Sequence, residues 1–85
     1  MAYTLSFTEE AKKDIRGLEH IIAKLIYKKI TAYASLDNVR SVSKKLVGYD
    51  EGDCRFRVGD YRVLYTLKGK VIEVFAVENR KDAYR

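Results

Sequence analysis

The segment CRFRVGDYRVLY, Cys54 to Tyr65, leaves the chain little freedom in its local structure. Apolar residues alternate with arginine on both sides of Gly59-Asp60. A two-residue connection is the commonest hairpin loop, and glycine supplies the positive φ that such turns need. With Gly59-Asp60 as the loop, the register follows by counting. Val58 lies opposite Tyr61, Arg57 opposite Arg62, Phe56 opposite Val63 and Arg55 opposite Leu64. Side chains alternate faces along a strand, so Cys54, Phe56, Val58, Tyr61, Val63 and Tyr65 share one face. That apolar face is where helices belong, and Arg55, Arg57, Arg62, Leu64 and Thr66 share the other.

The rest of the chain supplies those helices and more sheet. "AYTLSF" alternates and is rich in β-formers, which predicts a strand from Tyr3 to Phe7. Thr8 is placed as an N-cap, with Glu9 and Glu10 in the first turn to complement the helix dipole. Ala11, Ile15 and Leu18 follow at helical spacing, and Gly17 marks a bend near "GLEH". A second stripe, Ile22, Leu25, Ile26, Lys29, Ile30 and Tyr33, predicts a longer helix with Lys24 and Lys28 on its other side. "SLDN" ends that helix, and Val39 to Asp53 reads as a loop with a turn of helix. Tyr61 to Leu67 and Val71 to Val77 complete a three-stranded antiparallel meander. The order β-α-α-β-β-β predicts an α+β fold, with a strand and two helices packed on a small, mainly antiparallel twisted sheet.

Arginine facing arginine is unusual, because like charges opposed across a ladder cost about 0.2–1 kcal/mol. With a two-residue turn near Gly69, Glu73 falls opposite Leu64 on the basic face, and the same parity brings Phe75 there. One acid does not neutralise three guanidiniums, so the remainder calls for an anion from outside. Two plainer readings stay open: a solvated sheet face, and charges that guard the sheet against edge pairing. Lysine is the usual guard, whereas the planar fork of arginine matches phosphate. "ENRKDAYR" adds Arg80 and Tyr84 at one sheet end. Four-residue spacing on a helical turn puts the two on one face. Cations beside an aromatic are how single-stranded nucleic acid is commonly held, though Tyr84 fits an amphipathic cap on the core equally well.

Eighty-five residues, none of them proline, suit one domain over residues 1–85. Seventeen basic against twelve acidic residues give a net charge of +5, which favours a polyanionic partner. Cys54 is the lone cysteine, so an internal disulfide is excluded and a cysteine-based zinc site is implausible. A lone thiol fits a reducing cytoplasm. No apolar run is long enough to span a bilayer, and the N-terminus lacks the layout of a secretion signal. Neither a metal nor a cofactor is expected.

The string Lys45-Leu46…Gly48…Arg55-Phe56-Arg57-Val58-Gly59-Asp60-Tyr61-Arg62, with Arg80 and Tyr84, resembles the RelE/ParE superfamily of toxins from type II toxin–antitoxin pairs. The similarity covers essentially the whole chain, from "YTLSFTEEAKKDIRGL" onward, and lies nearest the RelE branch. It implies a RelE-like fold whose basic sheet face enters the ribosomal A site and cuts mRNA. The implied chemistry is metal-free attack of a ribose 2′-hydroxyl on the adjacent phosphate. Carried over by position, Arg62 and Arg80 hold the scissile phosphate and support the leaving group. Tyr84 stacks or moves a proton, and Arg55 and Arg57 stand where the family often has lysines. Lys44, Lys45, Lys81 and Arg85 are implied contacts to RNA and ribosome.

That chemistry lacks an evident base. Arginine almost never gives up its proton, and Asn79 stands where many relatives have histidine. His20 lies in the helical region and reads as a surface or cap residue. Lys44, Lys45 or Lys81 could compensate. The implied partners are ribosome, mRNA and a cognate RelB-like antitoxin whose acidic or amphipathic helix covers the basic face or displaces the C-terminal segment. Operator DNA is reached through the antitoxin. Two alternatives remain: a ParE-like inhibitor of DNA gyrase, favoured by nothing in the arginines, and a weakened homologue that blocks the A site or acts as a co-repressor.

Overall fold

The computed structural model describes residues 3–37, 44–45 and 53–79. Their order is β1 (Thr4–Phe7), α1 (Glu9–Arg16), α2 (His20–Ala34), β2 (Lys44–Lys45), β3 (Asp53–Val58), β4 (Tyr61–Lys68) and β5 (Val71–Asn79). The strands form one sheet in the order β1-β5-β4-β3-β2. Only β1 runs parallel to its neighbour, β5; the other pairings are antiparallel. This is the expected α+β layout with one addition. Lys44 and Lys45 pair with Arg55 and Cys54 in a stretch read as loop, because two residues are too few to carry a period-2 pattern. The remainder of residues 39–52 lies outside the described residues.

The β3–β4 hairpin follows the sequence count residue for residue, including Arg57 against Arg62. Gly59 (φ 59°) and Gly69 (φ 58°) open the two hairpin turns in the left-handed region that a side chain disfavours. One hairpin face is the core. Phe56, Val63 and Tyr65 are fully buried, with Cys54 and Val58 nearly so and Tyr61 packed against them. Phe56 stacks between Tyr33 of α2 (centroids 4.7 Å apart) and Tyr65 (4.5 Å), tying helix to sheet. Burying a ring of this size contributes about 1.5–3 kcal/mol.

The buried stripe of α2 is narrower than the sequence suggests. Ile26, Ile30 and Ala34 are buried and Ile22 and Tyr33 pack on the core, but Leu25 is 45% exposed and Lys29 faces solvent. The helix meets the sheet along the line 22-26-30-34, and that line turns positions 21, 25 and 29 outward.

Helix α1 does more than cover the sheet. Thr8 is its N-cap, its Oγ1 accepting from the Ala11 N–H at 3.2 Å. The same hydroxyl donates to the Phe75 carbonyl at 3.4 Å, and the Thr8 N–H donates to the Val74 carbonyl at 2.9 Å. One turn and a half further on, Asp14 Oδ2 accepts from the Val77 N–H at 3.0 Å. Strand β1 leaves the sheet at Phe7, and among the described residues no strand pairs with β5 on that side beyond Val74. Thr8 and Asp14 take its place.

Between these two contacts β5 bulges. Tyr65 pairs with Val74 but Leu64 with Ala76, leaving Phe75 as the extra residue. The bulge reverses the parity of everything after it, so Val77 joins the core beside Val63 and Glu78 comes opposite Arg62. Loss of the acceptor for Val77 leaves a part-buried N–H unpaired, which costs about 1–3 kcal/mol. Asp14→Ala is therefore expected to lower unfolding free energy by about that amount in urea titration. Lys12→Ala, which removes an exposed ion pair with Glu9, is expected to stay within about 0.5 kcal/mol.

Candidate functional site

The second face of the sheet is built from the positions the core does not use. Across β3, β4 and β5 the register sets out two rows: Arg55–Leu64–Ala76 and Arg57–Arg62–Glu78. Strand β2 extends the first row, with Lys44 paired to Arg55. A solvated face is not what results. Leu64 is 3% exposed although it lies outside the main core cluster, and the Arg62 side chain is only 21% exposed. Arg57, by contrast, faces solvent.

Arg62 is the centre of the arrangement. Its Nη2 donates to Glu78 Oε1 at 3.4 Å, a long single contact rather than a bidentate fork. Its Nε is buried and has no hydrogen-bond partner among the described residues. A buried donor without a partner is costly unless a ligand or water supplies an acceptor. On the opposite flank from Glu78 stands Arg57, a second cation with no ion pair among the described residues. Two neighbouring positive charges, one with a bare donor, are the chemistry that an oxyanion of phosphate type would complement.

The carboxylate beside Arg62 is not the one counted from the sequence. Glu73 lies opposite Thr66 instead of Leu64, because the turn falls at Gly69-Lys70, and it pairs with Lys68 at 3.1 Å. Glu78 takes the place beside Arg62, and no sequence signal marks it. Val74-Phe75-Ala76-Val77 is uninterruptedly apolar, so the bulge that sets the parity leaves no trace in the pattern. Of the residues expected at the site, Arg55, Arg57 and Arg62 come together on this face. The side chains of Lys44 and Lys45, and all of Arg80, Lys81, Tyr84 and Arg85, lie outside the described residues. His20 is exposed at the start of α2.

A second surface lies on the helices. Ile21 is 77% and Tyr27 56% exposed, and with Leu25 they line open grooves between α1 and α2. Lys12, Arg16, Lys24 and Lys28 rim the same grooves. No helix among the described residues is long and apolar enough to cross a membrane.

Comparison with known proteins bears on the family and the fold. The family model for the ParE toxin of type II toxin-antitoxin system, parDE, matches residues 5–84. No curated protein matches the chain. Among solved structures, the RelBE2 toxin–antitoxin complex of Mycobacterium tuberculosis contains a chain with TM-score 0.79 and 26% identity, covering 94% of this chain and 93% of that one. The intact RelBE complex of E. coli gives TM-score 0.72 and 26% identity, covering 92% and 96%. The RelB–RelE complex of Methanococcus jannaschii gives 0.66 and 26%, covering 93% and 94%.

The opposed arginines carry a prediction of their own. Arg57→Glu replaces a like-charge cross-strand pair with an attractive one, and is expected to raise the unfolding free energy by about 0.2–1 kcal/mol in low salt. The gain should shrink when the titration is repeated in molar salt.

Proposed function

The chain belongs to the ParE toxin family of type II toxin–antitoxin systems, close to the RelE toxins, and on that premise we propose that it is a single-domain, ribosome-dependent mRNA endoribonuclease. The observation that carries this reading is the Arg57–Arg62 pair with its unpartnered buried Nε. In cleavage by 2′-hydroxyl attack, charge grows on the non-bridging phosphate oxygens, and fixed guanidiniums in a partly dry site stabilise it without a metal. Arg62 seats the scissile phosphate, while Arg57 and Arg55 add charge along the strand. Arg80 and Tyr84 join from the C-terminal segment, Arg80 at the phosphate and Tyr84 at a base. Lys44, Lys45, Lys81 and Arg85 hold flanking RNA and ribosome. The products are a 2′,3′-cyclic phosphate and a free 5′-hydroxyl, and the reaction takes place in the cytoplasm.

The restraining partner is a RelB-like antitoxin, by analogy with the RelB complexes of the solved relatives. The exposed Ile21, Leu25 and Tyr27, rimmed by lysine and arginine, suit an amphipathic helix with acidic flanks. Ile21→Asp is expected to weaken binding of the cognate antitoxin at least tenfold in calorimetry without loss of fold.

The match to the ParE model favours a second reading, inhibition of DNA gyrase, which needs a binding surface and no nuclease chemistry. The two separate cleanly. In a translation extract with transcript ends mapped by primer extension, a nuclease produces codon-phased ends that require ribosomes. Arg62→Ala and Arg80→Ala abolish them. Translation arrest without new ends indicates a blocker of the A site, and arrest of supercoiling by purified gyrase indicates the ParE activity.

A further inference from the structure

The proposed reaction needs a group to take the proton from the 2′-hydroxyl, and the arginines that seat the phosphate do not accept protons. We propose that Glu78 is that general base, an assignment that rests on the nuclease reading above. The Glu78 carboxylate shares the Arg62 guanidinium, 3.4 Å from Nη2, and its side chain is 42% exposed against 21% for Arg62. It is therefore both oriented and reachable. In RNA the attacking 2′-oxygen sits beside the phosphate it attacks. A phosphate seated on Arg62 thus brings its own 2′-hydroxyl next to the carboxylate that already shares that arginine.

Of the other described carboxylates near the sheet, Asp60 lies in the β3–β4 turn, off the Arg57–Arg62–Glu78 row. Glu73 pairs with Lys68, and Asp14 is turned to the edge of β5, where it holds the Val77 N–H. The charged groups around Glu78 are Arg62 on β4, Arg57 one strand beyond on β3, and Asp14 on α1 at the neighbouring Val77.

The step balances as follows. The 2′-hydroxyl proton passes to the Glu78 carboxylate as the O2′–P bond forms and the P–O5′ bond breaks. The departing 5′-oxygen takes a proton from water, and the hydroxide formed removes the proton from Glu78, which returns to its starting state.

Single-turnover cleavage of a programmed ribosome, with binding to that ribosome measured separately, tests the assignment. Glu78→Gln keeps the shape and removes the acceptor. It is expected to slow cleavage at least 100-fold while leaving binding within threefold of the wild type. Glu78→Asp, which restores the acceptor one methylene short, is expected to recover part of the rate. If Glu78→Gln cleaves as fast as the wild type or faster, Glu78 is a counter-ion that restrains Arg62, and the assignment is overturned while the nuclease reading stands. If the wild type itself cuts nothing, both fall together. A circular dichroism melt of each variant separates loss of catalysis from loss of fold: an unfolded Glu78→Gln with an inert Glu78→Asp counts against the assignment, since the acceptor alone then fails to restore rate.

Discussion

The arrangement of the sheet depends on how α1 holds the outer edge of β5. Thr8 donates to the Phe75 carbonyl and Asp14 accepts from the Val77 N–H, one on each side of a single extra residue. Those two contacts flank the bulge, and an unbulged count would put Val77 opposite Arg62. Glu78 would then turn toward the core. The helix therefore does not simply cover apolar surface. Its two polar side chains decide which residues of β5 reach the basic face.

Arg62 is the residue most affected by that choice. Its neighbours along the row are a cation on one strand and an acid on the other, and neither saturates it. The sheet thus carries an electrostatic imbalance that folding alone does not relieve. Opposed arginines lower stability, and a buried donor without an acceptor lowers it further. Such local conflict in a chain whose remaining pattern is self-consistent is characteristic of positions kept for a ligand.

Much of this was legible in the residues. The Gly59-Asp60 turn fixed the β3–β4 register, and Thr8, Glu9 and Glu10 marked the start of α1, because both signals are local and chemically specific. The misreadings have two physical causes: a turn placed one residue off, and contacts distant in sequence. Leu25 and Lys29 fit a helical stripe, but the angle at which α2 crosses the sheet leaves them in solvent. Glu73 was placed opposite Leu64 from a turn set one residue early. Glu78 was invisible because its position follows from a bulge held by Asp14, sixty-three residues away from Val77. The family match spans residues 5–84, in keeping with a resemblance read over essentially the whole chain.

The parallel pairing of β1 with β5 has a consequence for how the protein is born. Among the described residues, Thr4–Phe7 pairs with Val71–Val74 alone, near the far end of the described chain. The first strand and the helix that follows it thus emerge during synthesis with nothing to pair against, and long-range pairing of this kind is slow to form. Arg62 on β4 acquires its Glu78 neighbour at the same late stage. The arginines are synthesised before the strand that flanks them, so maturation of the site is tied to completion of the sheet.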